Sequence, residues 1–347
     1  MHQSCATIGS NVPGDGRKPR AALPSCAHRT NKHQAMPTFK KILFASQSVT
    51  DDTCALREAL SIAQSNQAGL SALIVCPEFP PAQAKYRERY EASLVQHLEA
   101  SIHEARAATG ISTAGIPIPI HIDSGSRPAV RIIRQVQRDG IDLLIKEAEH
   151  DDADRGFKAV DMELLRKCPC PVWLSRPGFD RTDGVNVTVA IDPQGADPEA
   201  QELSVHLLRL ARSVSDQLGG ELHIVSCWDF LFEEYLRGNA LIKMSDEEIL
   251  DTVLQTQRVH HVALKRALKK SAIGGQFQVH HVRGQPDKAL LQFITDYQTD
   301  LLVMGTVART GIPGFVIGNT AENVFRQLRC ALLAVKPAGI EAPEQPA

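Results

Sequence analysis

The sequence predicts an α/β protein of two tandem doubly wound parallel-sheet domains, each about 150 residues long. Three observations carry this. Strand-like apolar runs alternate with helical patterns along almost the whole chain, and the connections between them are short. The order of these segments in residues 38–177 is repeated in 185–337. Each copy contains a run buried enough to be a central strand, IDLLIK in the first and TDLLVM in the second. Alternation of this kind requires parallel strands, right-handed crossovers and helices on both faces of each sheet.

The elements follow in order. Each half opens on a β-branched and aliphatic strand, KKILFAS at 40–46 and VNVTVAID at 185–192. A helix follows; in the second half Leu203, Leu207, Leu210, Val214 and Leu218 fall at three- and four-residue spacing on one face. A small residue ends it before the second strand, AGLSALIVCPEF or GGELHIVSCWDF. Long helical patterns occupy roughly 83–109 and 245–271, followed by the strands IPIPIHID and QFQVHHV. Next come GSRPAVRIIRQV and GQPDKALLQFI, in which Pro suits the first helical turn. The fourth strands are the two buried runs, and the fifth are PVWLSRP and ALLAVKP.

Composition narrows the function. The chain has 347 residues, 43% hydrophobic and 22% charged, as ordinary globular proteins do. A formal net charge of -2 supplies no field for nucleic acid, and the apolar runs fall short of a membrane span. Eight cysteines sit mostly singly in apolar segments, as reduced core residues would, so the expected location is cytoplasmic. Residues 1–35 are polar, rich in Gly and Pro, and carry five Lys/Arg against one Asp. They are expected to be a disordered tail, with Met36 in MPTFKKILFAS preferred as the start; a secretory apolar region is lacking and a transit peptide has weak support. The domains are then 36–178 and 185–338, with a flexible tail at 339–347.

The functional question lies in GTVARTGIPGFVIGNTAENV, residues 305–324, where a buried strand empties into a glycine-rich loop that closes on a helix start. Unpaired amides and the helix dipole make such a place fit to hold phosphate. The plain alternative is a glycine turn, with Asn319 capping the helix and Glu322 three residues on in a capping box. The signature of a P-loop is absent.

The stretch LLVMGTVARTGIPGFVIGNTAENVFRQLRCALLAVKP resembles the end of a universal stress protein domain, and two copies resemble the tandem two-domain bacterial type. The resemblance spans residues 38–337 and implies a five-stranded parallel sheet of Rossmann-like, adenine nucleotide alpha hydrolase-like architecture and a role in stress response. Some members of that family bind ATP through Gly-x-x-Gly, nine residues, then Gly and Ser or Thr. Here those positions are Gly305, Ala308, Gly318 and Asn319, so two of four depart from the pattern. The Ala308 Cβ crowds a place where backbone approaches phosphate, while Asn319 can still donate. Arg309 is the sole cation between 305 and 320, and Thr320 follows Asn319. By the same resemblance Asp192 would meet the ribose, and Val225, between Ile224 and Ser226, would flank adenine; Asp192 before Pro193 is equally a strand-ending turn. The expected ligand is ATP or AMP, with no metal beyond the magnesium that accompanies ATP.

In the first half the matching stretch, KEAEHDDADRGFKAV, has one glycine and a run of carboxylates that would repel phosphate, and its first strand ends in Ser46 and Gln47. That half is expected to lack a triphosphate site and to serve structurally, pairing with the second half within the chain as an intrachain pseudo-dimer; a homodimer stays open. Cys168 and Cys170 read as core cysteines rather than metal ligands. Neither His260-His261 nor His280-His281 can chelate as a unit, since neighbours diverge on helix and strand alike. The aromatic segment CWDFLFEEYLRG, 227–238, could cover adenine, line an apolar pocket or make an interdomain or dimer contact. No arrangement of nucleophile and base identifies an enzyme, although slow ATP hydrolysis or autophosphorylation stays open. A binding module and a nucleotide-free scaffold are the competing classes, and protein partners are not readable.

Overall fold

The computed structural model describes residues 7–9, 39–47, 52–109, 117–149, 156–176, 184–195, 197–238, 244–306 and 317–337. A short strand, β1 (Thr7–Gly9), precedes the first half. That half runs β2 (Lys41–Ser46), α1 (Thr53–Asn66), β3 (Gly69–Cys76), α2 (Arg87–Thr109), β4 (Ile120–Ser124), α3 (Pro128–Asp139), β5 (Leu143–Glu147), α4 (Ala159–Lys167) and β6 (Val172–Ser175). The second runs β7 (Asn186–Ala190), α5 (Pro198–Gln217), β8 (Glu221–Trp228), α6 (Glu233–Gly238), α7 (Asp246–Ser271), β9 (Gln278–Arg283), α8 (Pro286–Asp296), β10 (Leu301–Gly305), α9 (Asn319–Phe325) and β11 (Ala331–Val335).

Local chemistry explains the boundaries. Pro128 and Pro286 occupy the first turns of α3 and α8, where a missing N–H costs nothing. Asp197 caps α5 by accepting from the Ala200 amide at 2.8 Å, and Ser245 with Glu248 forms a reciprocal capping box on α7. The apolar stripe of α5 is buried through Leu203, Leu207, Leu210 and Val214, as its spacing requires.

All strands join one sheet in the order β1-β9-β8-β7-β10-β11-β6-β5-β2-β3-β4. Within each half the ladders are parallel, with the first strand between the second and fourth, so the order reverses at β2/β5 and at β7/β10. The halves meet through one antiparallel ladder, in which Leu332, Leu333 and Ala334 face Leu174, Trp173 and Val172. Apolar clusters cover both faces and each runs through both halves. Ile42, Phe44, Trp173 and Leu333 lie on one side, and Leu43, Leu174, Leu332 and Val324 on the other.

Thr7–Gly9, inside the stretch read as a disordered tail, pairs in parallel with Gln278–His280. The outer side of β9 is a row of backbone donors and acceptors, and a β-branched Thr-Ile step can use them. The remainder of 1–35 and the segment 339–347 lie outside the described residues.

Candidate functional site

At the second reversal point, beyond the carboxyl ends of β7, β8 and β10, lies a cavity of about 550 Å³. Open α/β sheets present ligand crevices at this place because the flanking helices diverge to opposite faces. Ile191 and Asp192 come from the end of β7, Val225 and Trp228 from β8, and Met304 and Gly305 from β10. α5 contributes Leu203, Ser204 and Leu207, α7 contributes Thr256 and His260, and the start of α9 contributes Thr320 and Ala321 next to Gly318. Gly305 permits this closeness: a Cβ there would stand 2.9 Å from Leu203 Cδ2.

Of the residues singled out from sequence, Asp192, Val225, Gly305, Gly318 and Thr320 line this one cavity. Asn319 is exposed and is not among the lining residues. Ala308 and Arg309 lie outside the described residues. Asp192 also makes the turn: its Oδ1 accepts from the Gln194 amide at 3.0 Å, while its carbonyl accepts from the Ser204 hydroxyl at 2.7 Å.

The helix start differs from the capping box of the alternative reading. The N-cap is Gly318, not Asn319, and it has no side-chain cap. Glu322 turns away to Arg166 and Arg326, at 2.7 and 2.8 Å, because two guanidiniums attract a carboxylate more strongly than one backbone amide does. The Gly318 amide is itself satisfied, donating to the Thr306 carbonyl at 2.9 Å and tying the return of the chain to the end of β10.

Sequence reasoning did not place Ser204, Thr256 or His260 in the cavity. Ser204 sits within the apolar stripe of α5, and His260 within a pair read as non-chelating. The His260 Nδ1 lies 2.8 Å from His281 Nε2, and Ser226 Oγ 3.5 Å from His260 Nε2. His281 stacks between His260 and Trp228, while its neighbour His280 packs on the other face against His223, 3.2 Å away. Burial holds His260 below the usual histidine value, against the pull of Asp192. The described wall therefore presents Asp192, Asp229 and a neutral imidazole, with no Lys or Arg among its described residues. No group of three or more His, Cys, Asp or Glu among the described residues could hold a metal.

Trp228 is buried beside the cavity and Leu231 lines it, whereas Leu231, Phe232 and Tyr235 are exposed by 72%, 63% and 58%. The aromatic segment thus forms one wall and continues onto the surface.

The corresponding place in the first half is occupied by the chain's own ions. At the ends of β2 and β5, Ser46 bonds Asp52, Glu147 accepts from the Ala55 amide at 3.1 Å, and Lys146 pairs with Asp161 at 3.0 Å. Asp161 is fully buried; burial pushes its carboxyl up while Lys146 opposes the shift. No helix among the described residues is long and apolar enough to cross a membrane.

Comparison with known proteins places this geometry. The model of the universal stress protein family matches residues 38–176 and again 186–336. Universal stress protein E of Photorhabdus laumondii is 28% identical over 317 residues, 89% of this chain and 98% of that relative. Universal stress protein E of Escherichia coli K12 is 28% identical over 318 residues, covering 89% and 97%. Among solved structures, a functionally unknown protein from Pseudomonas aeruginosa PAO1 superposes with a TM-score of 0.64 at 23% identity, covering 88% of this chain and 96% of its own. A universal stress protein from Archaeoglobus fulgidus does so with a TM-score of 0.55 at 17% identity, covering 86% and 99%. The duplicated strand order and the twofold match lead to one conclusion: the chain belongs to the universal stress protein family, as a tandem of two such domains.

Proposed function

We propose that the second domain binds an adenine nucleotide, ATP or AMP, and that the protein acts in stress response as a non-catalytic binding or sensing module. Family membership supports the stress-response role. The observation that carries the nucleotide reading is convergence: Asp192, Val225, Gly305, Gly318 and Thr320, from four separate stretches of chain, face one cavity of about 550 Å³. That size suits a mononucleotide. Apolar side chains about Val225 would receive the base, the Asp192 carboxylate the ribose hydroxyls, and the backbone amides that follow Gly318 the phosphate end. With Asp192 and Asp229 and no cation on the described wall, the nucleoside portion supplies most of the affinity in this reading. Magnesium would enter only with ATP.

Calorimetric titration of the full chain with ATP and AMP tests this. Asp192→Ala is expected to weaken binding about tenfold, the loss of a hydrogen bond to a charged group. Gly318→Asp should abolish it by putting a carboxylate against the phosphates. Absence of heat at millimolar ATP would leave a nucleotide-free scaffold. Turnover lost with Gly318→Asp would make the protein an enzyme. A second reading, a hydrophobic ligand, is favoured by the exposed Leu231, Phe232 and Tyr235 continuing the cavity wall, and a lipid extracted with the purified protein would support it.

A further inference from the structure

We propose that Cys168 and Cys170 form a reversible dithiol–disulfide couple, oxidised by hydrogen peroxide, at the seam where β6 and β11 join and beside the Lys336 ammonium. The two sulfurs are 3.6 Å apart at the turn between α4 and β6. A disulfide needs about 2.05 Å between its sulfurs, so the pair would close by rotation of the two side chains. Lys336, which follows β11, donates to the Arg166 carbonyl at 3.0 Å and to the Cys168 carbonyl, so a cation from the second half is fixed against a sulfur pair of the first.

Their environment separates these thiols from the others. Burial pushes Cys168 up, but the hydrogen bond from Cys170 and the charge of Lys336 outweigh it and leave Cys168 below the ordinary thiol value. The shared proton stays on Cys170, which is held well above it. Cys227 and Cys330, both half-buried, are pushed up to about 12 chiefly by desolvation, which the Arg176 charge near Cys330 does not outweigh. A thiolate is the form that reacts with peroxide. Cys168 is fully buried, and the pair opens to solvent through the 7% exposure of Cys170, which part-exposed Pro169 and Pro171 flank.

The chemistry balances in two steps. The Cys168 thiolate attacks one peroxide oxygen, the O–O bond breaks, and hydroxide leaves and takes a proton as water. The Cys170 thiol then loses its proton as its sulfur attacks the Cys168 sulfenic acid, and the hydroxyl departs as the second water. Two thiols are oxidised to one disulfide and one hydrogen peroxide is reduced to two waters.

The test treats the full chain with hydrogen peroxide, denatures it, blocks free thiols with N-ethylmaleimide and weighs the tryptic peptide that begins at Cys168. The expected peptide is about 2 Da lighter than the dithiol form, carries no maleimide, and regains both thiols with dithiothreitol. Lys336→Met is expected to slow the oxidation about tenfold and Lys336→Arg to retain the native rate. In Cys170→Ser, dimedone should trap Cys168 as its sulfenic acid. Maleimide on both cysteines after a dose that oxidises glutathione in the same tube would overturn the proposal. So would Cys168 sulfinic acid beside a blocked Cys170, or an unchanged rate in Lys336→Met; the wild-type masses decide even if a variant fails to fold.

Discussion

The Arg166 guanidinium, on α4 of the first half, donates to the Glu322 carboxylate on α9 of the second at 2.7 Å. Since the first turn of α9 also supplies Thr320 and Ala321 to the cavity, the pair ties the candidate site to the other domain. Its energetic weight is small. Arg166 and Glu322 are 40% and 26% exposed, and Arg326 shares the same carboxylate oxygen. A double-mutant cycle on Arg166→Ala and Glu322→Ala is expected to give less than about 1 kcal/mol in urea unfolding. Coupling of several times that size would sink this assignment and make the pair a principal support of α9.

Backbone packing holds the seam more firmly. Gly156 has φ +66°, its amide donates to the Leu328 carbonyl at 3.0 Å, and a Cβ there would lie 2.3 Å from the Arg326 carbonyl oxygen. Gly156→Ala therefore meets both conformational strain and a clash with unyielding backbone, and should cost more than about 2 kcal/mol. Gly184, with φ +92° and nothing within 4 Å of a Cβ, is the control. Gly184→Ala should cost only about 1 kcal/mol. Equal losses in the two urea midpoints would show that the contact across the seam adds nothing.

Legibility differed by level. Strands and long helices could be read because their signals are local: the spacing from Leu203 to Val214 closes one face of α5, and prolines mark the starts of α3 and α8. The antiparallel joining of Trp173 to Leu333 could not be read, since two terminal strands with the same apolar pattern carry no mark of their partner. At the cavity, Asp192 follows the end of β7 and Gly318 opens α9, places the topology must gather, and both line it. His260 was missed because its role depends on His281 in another element, 2.8 Å away. The capping box at Asn319 failed for a similar reason: Arg166, 156 residues distant, claims the Glu322 side chain.

Trp173 gives the seam its buried polar anchor. Its Nε1 donates to Glu58 Oε2 at 2.6 Å, and Ser175 donates to the same carboxylate oxygen. Trp173→Phe keeps most of the apolar volume and removes this donor, so a loss of about 1–3 kcal/mol is expected. Adding Glu58→Gln should recover part of it by removing the buried charge. An unchanged stability in Trp173→Phe would show that Ser175 holds the Glu58 carboxylate without the indole.

The histidines of the second half set an acid limit on stability. His223, His260, His280 and His281 are all held below the ordinary value chiefly by burial, His280 and His281 at about 4. Glu221 at His223 and Asp192 at His260 oppose the shift without reversing it. The sign follows from proton counting: below about pH 6.5 the unfolded chain binds protons that the folded one refuses, so stability is complete above that pH and falls as pH drops toward 4. The carboxylates Glu202, Glu248 and Glu322 are held below their usual value and titrate lower still, while Asp161, which burial pushes up, takes its proton more readily when folded and offsets part of the histidine effect in the window from pH 6.5 to 5. Urea midpoints should decline across that window, and His281→Gln should flatten the decline by removing one refused proton. A midpoint constant from pH 7 to 5, or a slope unchanged in His281→Gln, would show that the imidazoles take up protons in the folded state, in which case the stacked arrangement of His260, His281 and Trp228 is not the one that prevails in solution.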